Sequence, residues 1–378
     1  MAENFLKILV CPLDWGIGHA SRCVPVIRHL QMHGHQVLIA ADGRPYDFLN
    51  EIFPDFKFIR LPGTRIRYPS GKWMALKMLV QSPSIIFNIY KENQRLKKII
   101  KMTGADVVIS DNRFGLWSKK TYSIYMTHQV MIKAPQSMKW AEPWLYRLHR
   151  WFIGHYDECW IPDLPGEPNL SGDLSHKYPL PINAKFIGIL SRFENNPRPP
   201  TADRQPPTAD RRPPPDLLIL LSGPEPQRSI FEEIIFRELD LHRGLHVVIL
   251  QGLPGERNES YPIPGVAVFN HLPDKEIAGL IAGAGLIICR PGYSTLMDLV
   301  TLGRSAVLVP TPGQTEQEYL AETATKRGSF FSVVQDRFNL DLALDKGRGL
   351  MPPVSGLIDQ SILDKHILNL ASILRGNS

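Results

Sequence analysis

Two groups of residues in this 378-residue chain have types and spacing suited to chemistry. The first lies in Gly285–Tyr319. Leu286–Cys289 is a short apolar run that reads as a buried parallel strand. Arg290-Pro291-Gly292-Tyr293 is a turn. Ser294 or Thr295 caps a helix that runs to about Gly303, and Asp298 stands three residues after Thr295, as in a capping box. Ala306–Pro310 is a second strand, followed by a loop with Gln314, Gln317 and Glu318. A glycine turn between strand and helix aims backbone N–H groups and the positive end of a helix dipole at an anion.

The second group is His19, Asp111 and His128. Phe5–Pro12 reads as a strand, Leu13–Ala20 as a loop with Gly16, Gly18 and His19, and Ser21–Met32 as an amphipathic helix ending at Gly34. Asp111 follows the strand Asp106–Ser110, and His128-Gln129 follows the strand Ser123–Thr127. The ends of parallel strands converge at one sheet edge, where open α/β sheets bind ligands. Asp111 can therefore reach His19. A carboxylate behind an imidazole fixes the ring's tautomer and supports its positive charge, which suits a general base. The plainer alternatives are a structural histidine and an aspartate that caps the next turn.

The elements around these residues alternate strand and helix, which predicts an α/β fold with parallel sheets. The opening lacks the third glycine of G-x-G-x-x-G, and Asp42 is not suitably placed for a ribose, so a dinucleotide site is not expected. A second strand–loop–helix unit begins with Asp216–Leu221, Ser222-Gly223 and Ser229–Leu239. His246–Gln251 and Val266–Phe269 read as further strands, with His271 and Leu272 after the latter. Arg228 faces either a phosphate or solvent.

The stretch Gly285–Tyr319 resembles the donor-binding core of GT-B glycosyltransferases, which have two facing Rossmann-like domains, and is most similar to family 28. The resemblance rests on Cys289-Arg290, Gly292, Thr295-Leu296, Asp298, Gly303, Val309-Pro310, Gln314 and Gln317. Asp298 stands where the family has Glu, and Arg304-Ser305 where it has x-Pro. The likeness is specific over this stretch and general elsewhere.

The resemblance implies roles. Gly18, Ser222, Gly223, Gly292, Ser294 and Thr295 would hold the donor diphosphate. His271 and Leu272 would pack on the nucleobase, Asp298 would bind the ribose, and Gln314, Gln317 and Glu318 the donor sugar. His19, oriented by Asp111, would be the base, and His128 would contact the acceptor. The implied reaction is an inverting transfer, without metal or cofactor, from a UDP-sugar to a lipid-linked or cell-envelope glycan, in a cleft between the domains. No D-x-D triad stands at a strand end to chelate a divalent ion. A UDP-N-acetylglucosamine 2-epimerase and a non-catalytic nucleotide-sugar-binding subunit are the alternative readings.

Length favours two domains. They are expected at 1–182, for the acceptor, and 216–378, for the donor, joined by 183–215 and with the last helix, Ser361–Leu374, returning to the first. Within the join, PPTADRQ and PPTADRR repeat in tandem as an exposed, core-less segment. With 43% hydrophobic and 21% charged residues the composition is globular. Four scattered cysteines read as reduced core thiols of a cytoplasmic protein. No signal peptide is apparent. A net charge of +6 suits a nucleotide or an anionic membrane, or is a plain solvated surface, and nucleic acid is not expected as a partner. Arg65–Leu79 mixes basic and apolar residues and reads as a membrane-interface segment, peripheral at the inner face, as the lining of an acceptor groove, or as a loop and helix packing on the core. Trp140, Trp144 and Trp151 line a groove or, as helical spacing more often means, pack in the core.

Overall fold

The computed structural model describes residues 5–63, 74–194, 213–255, 258–353, 359 and 361–376, with the helical backbone alone for 74–85 and 375–376. The tandem repeat and Arg65–Trp73 lie outside the described residues. Contacts divide the chain into two compact units, Met1–Leu190 with Ile358–Ser378, and Ser191–Leu357.

In the first unit the order is β1 (Lys7–Cys11), α1 (Ile17–Met32), β2 (Gln36–Ala41), α2 (Gly43–Ile52), β3 (Lys57–Arg60), α3 (Met74–Thr103), β4 (Val107–Asp111), β5 (Tyr122–Met126), α4 (Glu142–Ile153), β6 (Glu158–Ile161), α5 (Asp173–His176) and β7 (Ala184–Phe186). The seven strands form a parallel sheet ordered β3-β2-β1-β4-β5-β6-β7. Strands β1 and β4 are buried on both faces, which is why their centres, Ile8–Cys11 and Val107–Ile109, read as apolar runs. Leu9, Leu38 and Val108 pack with Leu96 and Ile99 of α3 on one side of the core. The strand order reverses between β1 and β4, and that crevice is where doubly wound sheets bind ligands.

The second unit runs β8 (Leu217–Leu220), α6 (Gln227–Leu241), β9 (Val247–Leu250), β10 (Glu259–Ile263), β11 (Val266–Phe269), α7 (Asp274–Gly283), β12 (Leu286–Cys289), α8 (Tyr293–Thr301), β13 (Ala306–Leu308), α9 (Thr315–Lys326), β14 (Phe330–Ser332) and α10 (Leu340–Arg348). Its sheet is ordered β10-β11-β9-β8-β12-β13-β14, with β10 antiparallel to β11 and the other pairs parallel. The order reverses between β8 and β12. Alternate residues of β8, β9 and β12 pack against Phe231, Ile235 and Phe338.

The last helix, α11 (Ser361–Gly376), belongs to the first unit. His29 Nδ1, in the last turn of α1, and Nε2 of His33, its C-cap, both donate to Asp364 Oδ1, at 2.7 and 2.8 Å. Burial pushes the Asp364 carboxyl up, but the two imidazoles outweigh it and hold it below its usual range. His366 Nε2 donates to the Phe186 carbonyl at 3.0 Å, fixing the same helix to β7.

Several elements differ from the sequence reading. Helix α1 begins at Ile17, not Ser21, because an extended Gly16 lets it start directly after the β1 loop. His19 is thus in a helical first turn, not a loop. Beyond β6 the sheet carries one more strand, β7, in register Cys159↔Ala184, which the sequence did not signal. Three residues are too few to carry a periodic signal.

Candidate active site

In the first unit the structure brings His19, Asp111 and His128 together. Asp111 is the last residue of β4 and is fully buried, and His19 sits one strand away across the switch point. His19 Nδ1 lies 2.9 Å from Asp111 Oδ2. The ring is about one-fifth exposed, so its other nitrogen can meet a substrate. Sequence reasoning missed Arg22, one turn along α1 and buried beside them. Its Nε donates to Asp111 Oδ1 at 2.9 Å, its Nη2 donates to the same oxygen, and its Nη1 reaches His128 Nδ1 at 2.8 Å. Burial pushes the Asp111 carboxyl up, but the charges and hydrogen bonds of Arg22 and His19 prevail and hold it below its ordinary value. An arginine three residues after His19, on the apolar face of a helix, is the signal that was available: a charge there needs a buried partner.

In the second unit every candidate residue falls at the carboxyl edge of the sheet. Ser222 and Gly223 follow β8, His271 and Leu272 follow β11, Gly292 to Asp298 follow β12, and Gln314 to Glu318 follow β13. Gly292 is the N-cap of α8. Ser294 and Thr295 are its second and third residues, so neither caps the helix. The capping box between Thr295 and Asp298 is not formed. Gly303, with φ +65°, closes the far end of α8, where the Arg304 N–H donates to the Leu299 carbonyl at 2.8 Å. Gly223 has φ +105°, which a side chain would strain, and a Cβ there would lie 3.6 Å from Thr311 Oγ1. The loops after β8 and β13 therefore meet.

Asp298 is buried and accepts from Ser191 Oγ at 2.6 Å. Arg192 Nε lies 3.6 Å from its other oxygen, and Arg192 Nη1 lies 3.1 Å from Asp274. Burial, with Asp274 adding to it, pushes the Asp298 carboxyl up to about 6, against the pull of Arg192 and Ser191. Gln317 Oε1 accepts from the Thr311 N–H at 2.9 Å and Glu318 Oε1 from the Gly313 N–H at 3.0 Å, so both brace the loop they follow. Gln314 is the N-cap of α9 without a side-chain cap bond. His271 is half-buried, Leu272 buried and Ser222 exposed.

Arg290 is fully buried at the end of β12. It donates to the Val309 and Gln227 carbonyls at 2.9 and 3.0 Å and to Gln335 Oε1 at 2.6 Å, and its guanidinium stacks over Phe231. Burial lowers its pKa to about 10. All three acceptors are neutral, so a positive charge remains at the sheet edge beside the Gly292 turn. Arg228 is neither solvated nor open to a phosphate, because the Glu225 and Glu232 carboxylates and Ser229 Oγ hold it. Among the described residues no three His, Cys, Asp or Glu side chains are grouped to hold a metal ion.

Residues 6–139, which include His19, Asp111 and His128, match the model of glycosyl transferase family 1. Residues 260–347, which include Gly292 to Glu318, match the glycosyltransferase family 28 C-terminal domain. The glycotransferase of kitacinnamycin superposes over 99% of this chain and 96% of its own, with a TM-score of 0.57 at 15% identity. The chain is a GT-B glycosyltransferase. An uncharacterized glycosyltransferase of Methanosarcina acetivorans is 24% identical over 332 residues, 83% of this glycosyltransferase and 80% of that one. The UDP-N-acetylglucosamine–N-acetylmuramyl-(pentapeptide) pyrophosphoryl-undecaprenol N-acetylglucosamine transferase of Desulforudis audaxviator is 40% identical over 161 residues, 37% of this chain and 39% of that one.

The tryptophans do not form a core. Trp140, Trp144 and Trp151 are 71, 65 and 59% exposed. The buried face of α4 is instead Glu142, Tyr146, His149 and Ile153. Helical spacing marked a face but not which way it turned.

Proposed function

We propose that this glycosyltransferase moves a hexose or hexosamine, N-acetylglucosamine in the first instance, from a UDP-sugar to a hydroxyl of a lipid-linked or cell-envelope glycan, with inversion and without a metal. The observation that carries the reading is the His19–Asp111 pair, 2.9 Å apart at the switch point of the first sheet. His19 Nε2 takes the proton of the acceptor hydroxyl. The oxygen attacks the anomeric carbon, and the bond from that carbon to the diphosphate oxygen breaks, its electron pair leaving on UDP. One displacement inverts the centre. The growing negative charge is met by the first-turn amides of α8 near Gly292, Ser294 and Thr295, by Ser222 and Gly223, and by the buried charge of Arg290. Asp298 accepts from the ribose, His271 and Leu272 hold the uracil, and Gln314, Gln317 and Glu318 hold the sugar. His128 stands on the acceptor side. The family 28 match over the second unit supports the donor assignment.

A thermal-shift series tests it. UDP and UDP-N-acetylglucosamine are expected to raise the melting temperature, with GDP and dTDP sugars weaker. Linkage gives about 2.7 kcal/mol at a hundredfold excess over Kd. No response to any nucleoside diphosphate sinks the donor assignment. Epimerised free nucleotide sugar without an acceptor would replace transfer by epimerisation.

Lipid linkage of the acceptor draws support from α4 and the turn before it. The exposed side chains there alternate between Trp140, Trp144, Leu148 and Trp151 and the cations Lys139, Arg147 and Arg150, while Glu142 is buried against Lys177. Ile86, Phe87 and Tyr90 of α3 are also exposed, with Lys91 over the Phe87 ring. Tryptophan with lysine and arginine suits an anionic bilayer surface. Among the described residues no helix is long and apolar enough to cross a membrane. The full chain is expected to co-sediment with vesicles containing phosphatidylglycerol and not with pure phosphatidylcholine. Trp144→Ala with Trp151→Ala should cut the bound fraction about tenfold. Equal recovery with both vesicle types, or no effect of the double substitution, removes the membrane role of this face.

A further inference from the structure

Arg22 is the hub of the first unit's site, and its chemistry decides where two protons sit. A guanidinium only donates. Its Nη1 lies 2.8 Å from His128 Nδ1, so that nitrogen carries a lone pair and the His128 proton is on Nε2. The Gln129 amide nitrogen, 3.5 Å from Nε2, is a donor as well, so with the Arg22 contact the shorter of the two, the Gln129 amide turns its oxygen to the Nε2 proton.

His19 Nδ1 has two neighbours, Asp111 Oδ2 at 2.9 Å and Arg22 Nη2 at 2.8 Å. It can donate to the first or accept from the second. Donation prevails on two counts. Arg22 Nη2 already donates to Asp111 Oδ1. Asp111 Oδ2 otherwise faces the Cys23 thiol at 3.9 Å, a weak donor, and a buried carboxylate oxygen left without a donor is costly. The His19 proton is therefore on Nδ1, and Nε2 holds the lone pair.

We infer that Arg22 is a positioning residue that holds the two histidines in opposite proton arrangements, so that His19, and not His128, offers Nε2 as the proton acceptor. The base role rests on the transferase reading. The proton arrangement does not, since it follows from the contacts alone. Other ionisable groups interacting with this cluster are neutral: burial pushes the Cys11 thiol up to about 12 and raises the Cys23 thiol and the Tyr125 phenol well above their usual values.

The test uses the full chain with 15N-labelled histidine and long-range 1H–15N correlation near pH 8. His19→Gln and His128→Gln assign the two signals. The expected spectra show His19 protonated at Nδ1 and His128 at Nε2. Arg22→Gln leaves Asp111 uncompensated, so the His19 titration midpoint should rise by about one unit. The acid limb of the transfer rate should move up with it, and the His128 signal should lose its fixed tautomer. Arg22→Lys keeps the charge and should return the His19 midpoint most of the way. Two histidines in the same arrangement, or a midpoint unmoved by Arg22→Gln, overturn the inference. If that variant does not fold, the wild-type and Arg22→Lys spectra still decide it. Opposite arrangements with a transfer rate indifferent to His19→Gln overturn the base assignment alone.

Discussion

Replacing His19 by Ala lowers the rate of sugar transfer by about 10²–10⁴-fold, the range of a positioned general base, while the melting-temperature rise with UDP stays as in the wild type. The two halves of this expectation come from the division of labour in the chain. The imidazole belongs to the first unit, and every donor candidate after β8 belongs to the second. Asp111→Asn should fall almost as far. An amide cannot hold the Nδ1 proton of His19 as an anion does, and it leaves Arg22 buried without its carboxylate. That second loss also lowers stability, by about 3–5 kcal/mol for one broken member of a buried ion pair. His19→Ala is therefore the cleaner variant, since it keeps the Arg22–Asp111 pair. Steady-state rates with UDP-N-acetylglucosamine and a glycan acceptor, beside thermal shifts with UDP, give both readings. A variant that transfers at the wild-type rate removes His19 from the chemistry.

Asp298→Asn should make the unliganded protein more stable and its UDP complex weaker. The Asp298 carboxyl titrates at about 6 in the folded chain, against 3.8 for the free group. A raised folded value means the native state binds more protons than the unfolded state between about pH 4 and 6, so stability falls as pH rises through that window. Above it the cost is constant, on the order of 3 kcal/mol at most. Asparagine removes the charge and can still accept from Ser191 Oγ through its amide oxygen. The expected gain is about 1–3 kcal/mol at pH 7, vanishing near pH 4, read from urea unfolding at both values. The UDP affinity should drop about tenfold, the worth of one charged hydrogen bond to the ribose. A functional group kept at the expense of stability is the common trade at a binding site. Equal stability at pH 7 would contradict the buried-charge account, and unchanged UDP affinity would take Asp298 out of the ribose site.

Much of this was legible in residue order. Apolar runs such as Val107–Ile109 and Leu286–Cys289 are what a strand covered on both faces requires, so the parallel strands of both sheets could be read. The glycine after α8 was legible too, because few other residues tolerate its backbone angle. Asp298 was singled out, but as a partner of Thr295 or of a ribose. Its contacts with Ser191 and Arg192 were not visible, since they join it to a residue 107 positions away.

By itself the sequence determined the alternation of strand and helix, the glycine turns at the strand ends and the candidate residues there. These depend on backbone preference and side-chain period, which act over a few neighbouring residues. Tertiary structure alone decided which charges meet and which faces stay in water. Arg22 finds Asp111 across 89 positions because the first turns of α1 lie beside the carboxyl end of β4, and the α4 tryptophans stay exposed because Tyr146, His149 and Ile153 take the inward face. A buried charge is governed by what lies within a few ångströms in space, and chain order does not carry that distance.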